Sequence, residues 1–238
     1  LYLLSSSNQR NHFTLDPNFP SRLLRSGNQR TIEFICFLFE DYSKRELTKK
    51  TDKCVAISGI EARVKGALRC ESRYGIFQKY IHRNLLWKAS DSKMEEIAYK
   101  RHVPSWSWMA YNGGVKFLDI PVGKVSWINT LRFDPERENA LIADVGDFLR
   151  CTMELEEKQF TVSDSSGTRR GWIQYDVVDG EELFEEQCVV LGRNLRNDEE
   201  YYILVVRPTT TGGEYKRVGI GQIHSSCVVR RRSAVRIV

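Results

Sequence analysis

From Val103 to the C-terminus the apolar residues recur with a period of two, and that spacing constrains the fold more than any other feature of the chain. Pro104-Ser105-Trp106-Ser107-Trp108 alternates small and aromatic side chains, as a strand does. Asn112-Gly113-Gly114 is a turn signal, with Val115-Lys116-Phe117-Leu118 as the returning strand. Val125, Trp127, Leu131 and Phe133 share one parity. Leu149, Cys151, Met153 and Leu155 also share one, opposite Arg150, Thr152 and Glu154. Ile173, Tyr175 and Val177 continue the pattern, followed by Cys188 to Leu191, Tyr201 to Arg207, Tyr215 to Ile223 and a short terminal run from Val235 to Val238. Strand follows strand through turn-rich connections such as Pro208 to Gly213, which argues for an antiparallel sheet.

The first hundred residues carry a different period. Gln29 to Tyr42 is expected to be a helix capped by Asn28, with Ile32, Ile35, Phe39 and Tyr42 on one face, a strand being the competing reading of so continuous an apolar run. Phe34, Phe37 and Leu38 widen that face, so burial on most sides is expected. Asp52 to Lys65 is expected to be a second helix, capped by Asp52 and ended by Gly66, with Ile57, Ile60 and Val64 on one face. Gly59 inside it points to close packing. Between Tyr74 and Trp87 the pattern is mixed: Ile76, Phe77, Tyr80 and Ile81 have helical spacing, and Leu85-Leu86-Trp87 resembles a strand. Ser90 to Lys100 is polar and is expected to be a loop. The fold class that follows is α+β, a helical N-terminal third packed against a mainly antiparallel β-sheet or barrel-like C-terminal part. Its expected divisions are an irregular remnant or linker over 1–28, a helix-rich segment over 29–100 and an antiparallel β-rich domain over 101–238.

Composition narrows the function classes. A chain of 238 residues with 41% apolar and 28% charged residues has the make-up of a globular protein. At that size it can bury roughly 70% of its unfolded surface. No apolar run approaches the ~20 residues that cross a bilayer, so no membrane partner is expected. The chain opens on Leu1 rather than Met, and Leu1 to Leu4 is too short for a signal segment, so a truncated start is expected. The six cysteines, at 36, 54, 70, 151, 188 and 227, form no CxxC pair. They are expected to be reduced, in a cytoplasmic protein.

No catalytic constellation stands out. His12, His82, His102 and His224 are not paired at metal spacing, and a lone histidine is ordinarily a structural residue. No serine lies in GxSxG and no P-loop occurs. Gly219-x-Gly221 lacks the third glycine of a dinucleotide loop, and small residues where backbones approach explain it better. Glu95-Glu96 and Glu181-Glu182 sit in polar stretches, as solvated acids do. Trp106 and Trp108 could stack on a ligand, but side chains of that size are more often core. The net charge is only +5, and Arg230-Arg231-Arg232 is its one dense cluster, so nucleic-acid binding is not expected as the main function. The expectation is therefore no catalytic residue, no cofactor and no metal.

Several ordered words nevertheless resemble a known family. Glu40-Asp41-Tyr42-Ser43-Lys44-Arg45-Glu46-Leu47-Thr48 and Thr51 to Ile60 resemble the stretch just after the HET domain of fungal heterokaryon-incompatibility proteins. Tyr74-Gly75-Ile76-Phe77, Leu85-Leu86-Trp87 and Val103 to Trp108 are similar to the next signatures of those proteins, with Phe77 where tryptophan is common and Val103 where alanine is common. Tyr201 to Val206 and Tyr215 to Gly221 resemble their closing hairpin. The resemblance runs from about Arg30 to the C-terminus and leaves out the HET domain itself. It implies a non-catalytic regulatory or interaction region of a protein of non-self recognition and programmed cell death, in contact with an upstream HET domain or another protein. The alternatives are a fragment of a nucleotide-hydrolysing toxin, or a weak nucleic-acid-binding module acting through Arg230 to Arg232.

Overall fold

The computed structural model of the chain describes residues 25, 27–90, 94–148, 151–156, 159–177, 186–197 and 199–238. His12, Leu149, Arg150, the Glu181-Glu182 pair and most of the segment expected to be irregular lie outside them.

The first helix, α1, is Asn28–Ser43. Thr31, Ile32, Ile35, Phe39 and Ser43 are buried along it at helical spacing. Phe37 is 52% exposed, which corrects the expectation of burial on most sides: one face is core and the opposite face is open. Gly27 holds the N-cap position expected for Asn28. The Thr31 hydroxyl donates to the Gly27 carbonyl, while the Asn28 side chain accepts from the Tyr80 hydroxyl.

A 3-10 turn at Lys50–Asp52 leads into α2, Lys53–Leu68. Asp52 stands at the N-cap but makes no side-chain cap, because its backbone is already helical. Gly66 does not end the helix. α2 continues to Leu68 and stops at Arg69, whose φ of 51° is left-handed. A Cβ on Gly59 would meet nothing within 4 Å, so this glycine marks an open surface rather than close packing.

Strands β1, Ser72–Arg73, and β2, Ile76–Phe77, then form a tight hairpin. Its two turn residues, Tyr74 and Gly75, both have positive φ, 49° and 75°, as the hairpin turn matched to strand twist requires. A Cβ on Gly75 would lie 2.8 Å from the Trp108 indole nitrogen, so the turn also needs glycine for space. The helical spacing at 76–81 resolves into β2, a 3-10 turn at Gln78–Tyr80 and a short helix α3, Ile81–Asn84.

Strand β3, Trp87–Ala89, and β4, Glu95–Glu96, follow, so the stretch expected to be a loop contains a strand. Trp106 and Trp108 do not lie on a strand. The chain turns at 105–106 and forms a 3-10 turn at Trp108–Ala110, because the Ser107 hydroxyl accepts from the Met109 amide and donates to the Tyr74 carbonyl. β5, Tyr111–Asn112, pairs with β4, and β6, Val115–Phe117, pairs with β3, so the expected hairpin across Asn112-Gly113-Gly114 does not form. The other edge of β6 is closed by α1: Val115 N donates to the Ser43 hydroxyl and Phe117 N to the Glu40 carboxylate.

The remaining strands are β7 (Val125–Trp127), β8 (Arg132–Phe133), β9 (Leu141–Phe148), β10 (Thr152–Glu156), β11 (Gln159–Ser163), β12 (Arg169–Tyr175), β13 (Gln187–Asn194), β14 (Glu200–Pro208), β15 (Glu214–His224) and β16 (Val228–Ile237). They join in one sheet of order β10-β11-β12-β15-β14-β13-β9-β16, with β7 on β13 and β8 on β9. β9 and β11 have no counterpart in the sequence reading, and β16 is far longer than the expected terminal run. β15 also pairs with β16, in parallel, through Glu214↔Arg236 and Tyr215↔Ile237. Strands β9, β13, β14, β15 and β16 thereby close into a ring. A ring of five strands cannot alternate direction all the way round, which accounts for the one parallel seam.

The protein is thus α+β, with a helical N-terminal region and a large, mostly antiparallel sheet. One core joins the two. It contains Ile35 and Phe39 of α1, Ile57 and Val64 of α2, and Leu141, Val189, Leu204, Ile220 and Ile237 of the ring. The opposite face of the sheet buries a second cluster around Val162, Ile173, Cys188, Ile203 and Val205. No helix among the described residues is long and apolar enough to cross a membrane.

Candidate functional site

Residues from widely separated stretches of the chain meet in space. β15 carries Arg217 into the core, where its side chain is fully buried. Its Nε and Nη2 donate to the two carboxylate oxygens of Asp176 at 2.8 and 2.9 Å. Its remaining donors reach the Leu85 carbonyl at 2.6 Å and the Trp87 carbonyl at 2.5 Å. The guanidinium also lies 3.4 Å from the centroid of the Trp87 ring. Burial pushes the Asp176 carboxyl up, while the Arg217 charge and hydrogen bonds pull it back.

Around this node the Trp87 indole donates to the Trp106 carbonyl, and the Ser105 hydroxyl accepts from the Arg217 amide and bonds to the Val238 carbonyl. Trp106 packs on Tyr74 and Phe133, and Trp108 on Phe39 and Tyr42. Trp106 and Trp108 are fully buried, as the core reading expects. Their indole nitrogens, with Asn84 Nδ2, are buried donors without a hydrogen-bond partner among the described residues. At the centre of this node Arg217, Asp176, Trp87, Trp106 and Trp108 are all buried, so it serves to fix a geometry.

Lys53, at the start of α2, is the other buried cation. Its Nζ donates to the Tyr111 carbonyl at 2.6 Å and lies 5.1 Å from the Trp108 ring centroid. Burial lowers its pKa from 10.5 to about 8. His82 is held by the Ile128 carbonyl at 2.6 Å and stacks on Trp127, and burial pushes its pKa down.

The nearest approach to a catalytic triad is on the surface. His224 contacts the Ser226 hydroxyl through Nδ1 at 2.7 Å and Glu199 through Nε2 at 2.9 Å. The same Nδ1 accepts from the Ser226 amide and so caps the 3-10 turn Ser225–Cys227. A ring nitrogen serving as a cap is not free to act as a base. His102 contacts only the Asn139 side chain in the described contacts.

None of the six cysteines, all of them among the described residues, is in a disulfide. Burial raises the Cys36 thiol to about 12, and burial with the neighbouring Cys227 thiol does the same at Cys151. Thiols raised in this way are poor nucleophiles at neutral pH. Among the described residues no three His, Cys, Asp or Glu side chains group as metal ligands. Gly219 and Gly221 lie where β15 meets β12: a Cβ on either would come within 2.6 Å of a β12 carbonyl oxygen, which explains these small residues. Glu95 pairs with Lys50 on the surface. Arg230 to Arg232 lie on β16, and their side chains are outside the described structure. A cleft lined by Ile128, Asp144, Gly146, Val190 and Val228 holds about 20 Å³, room for little more than one water.

One array of half-buried aromatic and basic groups was not found from the sequence. The strand registers align Trp127, Gly192, Tyr202, Gln222 and Trp172 in one row across β7, β13, β14, β15 and β12. Trp127, Tyr202 and Trp172 are each half-buried. Arg83 lies over Trp127 at 5.3 Å, and Lys88 over Trp172 at 5.4 Å. Only the pairing of strands distant in sequence brings these residues together, so no local signal could have found them. Comparison with protein-family models, curated proteins and solved structures gave no match.

Proposed function

We propose that the chain is a non-catalytic regulatory or interaction region of a fungal non-self recognition and cell-death protein, acting in the cytoplasm in contact with an upstream HET domain. The observation that supports the reading is the convergence of the resembling words. Tyr74-Gly75, Leu85 to Trp87, Ser105 to Trp108 and Arg217 are scattered over more than a hundred positions of the chain, yet they build one buried node. A set of words kept for a common architecture would be chosen for this reason, since each supplies a ring, a turn or a hydrogen bond that the others need.

The surface that such a region offers a neighbour is the open side of the two helices. Ile35 is fully buried, so a charge placed there would test folding and not contact. Phe37 on α1 and Val55 on α2, 52% and 75% exposed, are the positions to change. Phe37→Asp and Val55→Asp, introduced into a protein carrying an upstream HET domain, are expected to alter its toxicity to host cells while leaving the thermal transition within a few degrees of the parent. Unchanged toxicity in the double variant, with normal expression, counts against the proposed contact.

A further inference from the structure

β3 and β6 set Lys88 directly opposite Lys116. Alternation sends Trp87, Val115 and Phe117 of this ladder into the core and both lysines to its other face. Like charges directly opposite one another on paired strands are destabilising. No ion pair among the described residues includes either lysine. Burial and the charge of Lys116 both push the Lys88 pKa down. Its ammonium lies 5.4 Å from the centroid of the half-buried Trp172 ring, at the end of the aromatic row. The other cation of that row, Arg83, is already committed to the carbonyls of Ile120 and Pro121. Lys88 and Lys116 have no such partners among the described residues and face outward side by side.

We infer that Lys88, Lys116 and Trp172 form a binding site for a phosphorylated small molecule that carries a planar ring. Two ammonium groups one ladder rung apart, ~5 Å at Cβ, can share the oxygens of one phosphate monoester and match its charge of about −2. When Lys88 turns from the Trp172 ring to the anion, it frees the exposed part of the indole for the ring carried with that phosphate. The arrangement costs stability when empty and is relieved when an anion arrives, as expected of a site and not of a solvated strand face. The inference is independent of the cell-death reading.

The test titrates the intact chain with adenosine monophosphate, inorganic phosphate and adenosine at low salt, following tryptophan fluorescence and heat. Saturable binding of adenosine monophosphate is expected, tighter than either fragment. Lys88→Gln and Lys116→Gln are each expected to weaken it about tenfold or more, the loss of one charge-assisted hydrogen bond. Lys116→Gln is also expected to raise the melting temperature of the ligand-free protein, since it removes the repulsion at an exposed position. Trp172→Leu should abolish the preference over inorganic phosphate. Absence of saturable binding, or equal binding by the parent and Lys116→Gln, overturns the site. Equal affinity for inorganic phosphate and adenosine monophosphate overturns the role of Trp172.

Discussion

Arg217 lies in a strand whose neighbours Tyr215 and Ile220 are core residues, so its guanidinium leaves water as soon as the strand pairs. That desolvation is offset because every polar partner is in place: two carboxylate oxygens of Asp176 and the carbonyls of Leu85 and Trp87. Removing the cation alone strands a buried carboxylate and two carbonyls. Arg217→Met is therefore expected to cost about 3–5 kcal/mol in urea unfolding. Asp176→Leu with Arg217→Met should cost clearly less than the sum of the two single changes, because the second removes the group that the first leaves unpaired. Strict additivity in that cycle would show that the pair is not coupled.

Lys53 is a residue-scale device of the opposite kind, a buried cation with a carbonyl and a ring but no ion-pair partner among the described contacts. Its pKa is about 8 in the folded chain against 10.5 for an ordinary lysine, so between those values the unfolded chain binds more protons. Stability from this group is therefore fully present only above about 10.5, falls as the pH drops towards 8, and stays low below that. Cys36, whose thiol is raised to about 12, works the other way in the same alkaline range, so the parent curve alone does not isolate Lys53. The difference between the parent and Lys53→Met does. The variant's relative advantage should be constant below pH 8 and shrink on the order of 3 kcal/mol by pH 10.5. A difference that does not change with pH would show that Lys53 is not desolvated.

Elements differ in how far the sequence foretells them. α1 and α2 are legible because Ile32, Ile35 and Phe39, or Ile57 and Val64, repeat at helical spacing and do enter the core. β14 and β15 are legible because their apolar runs are bounded by turn residues. β9 is not, because its inward positions are only Leu141, Ala143 and Val145, and Gly146 and Asp147 break the alternation after them. Those positions are tolerated because they lie at a β-bulge and beside Val229 and Arg231 of β16, a strand distant in sequence. Ser105 to Trp108 alternates like a strand, but the Ser107 hydroxyl bonds locally to the backbone and wins over any ladder. Caps fail for a related reason: Asn28 and Asp52 are good capping residues, but each is already in helical backbone when its helix begins. The same limit applies to the sites. Trp106 and Trp108 are recognisable as core from their size. The Asp176–Arg217 pair and the Lys88–Lys116–Trp172 cluster exist only through strand order, which nothing local in the chain encodes.

At the scale of the whole molecule the decisive feature is that the helices have no core of their own. Ile35, Phe39, Ile57 and Val64 are buried in the same cluster as Leu141, Leu204 and Ile237. Polar ties cross the same boundary. Ser43 and Glu40 of α1 close the edge of β6, Arg217 of β15 holds the carbonyls before and in β3, and Gln174 of β12 donates to the Ala89 carbonyl. Loss of either part exposes apolar surface and leaves buried hydrogen-bonding groups of the other unpaired, which is the physical basis of cooperative unfolding. The chain is therefore expected to unfold in urea as one unit. Helical circular dichroism and tryptophan fluorescence should trace the same transition, with a steep slope that reflects the whole buried surface. Separate midpoints, with the helical signal lost first, would mean that the shared core holds the helices only loosely. A change imposed on α1 or α2 would then stop at the edge of β6 instead of reaching the ring. Coincident midpoints would make the two layers one mechanical body, through which an event at the exposed helices is felt at Arg217 and beyond.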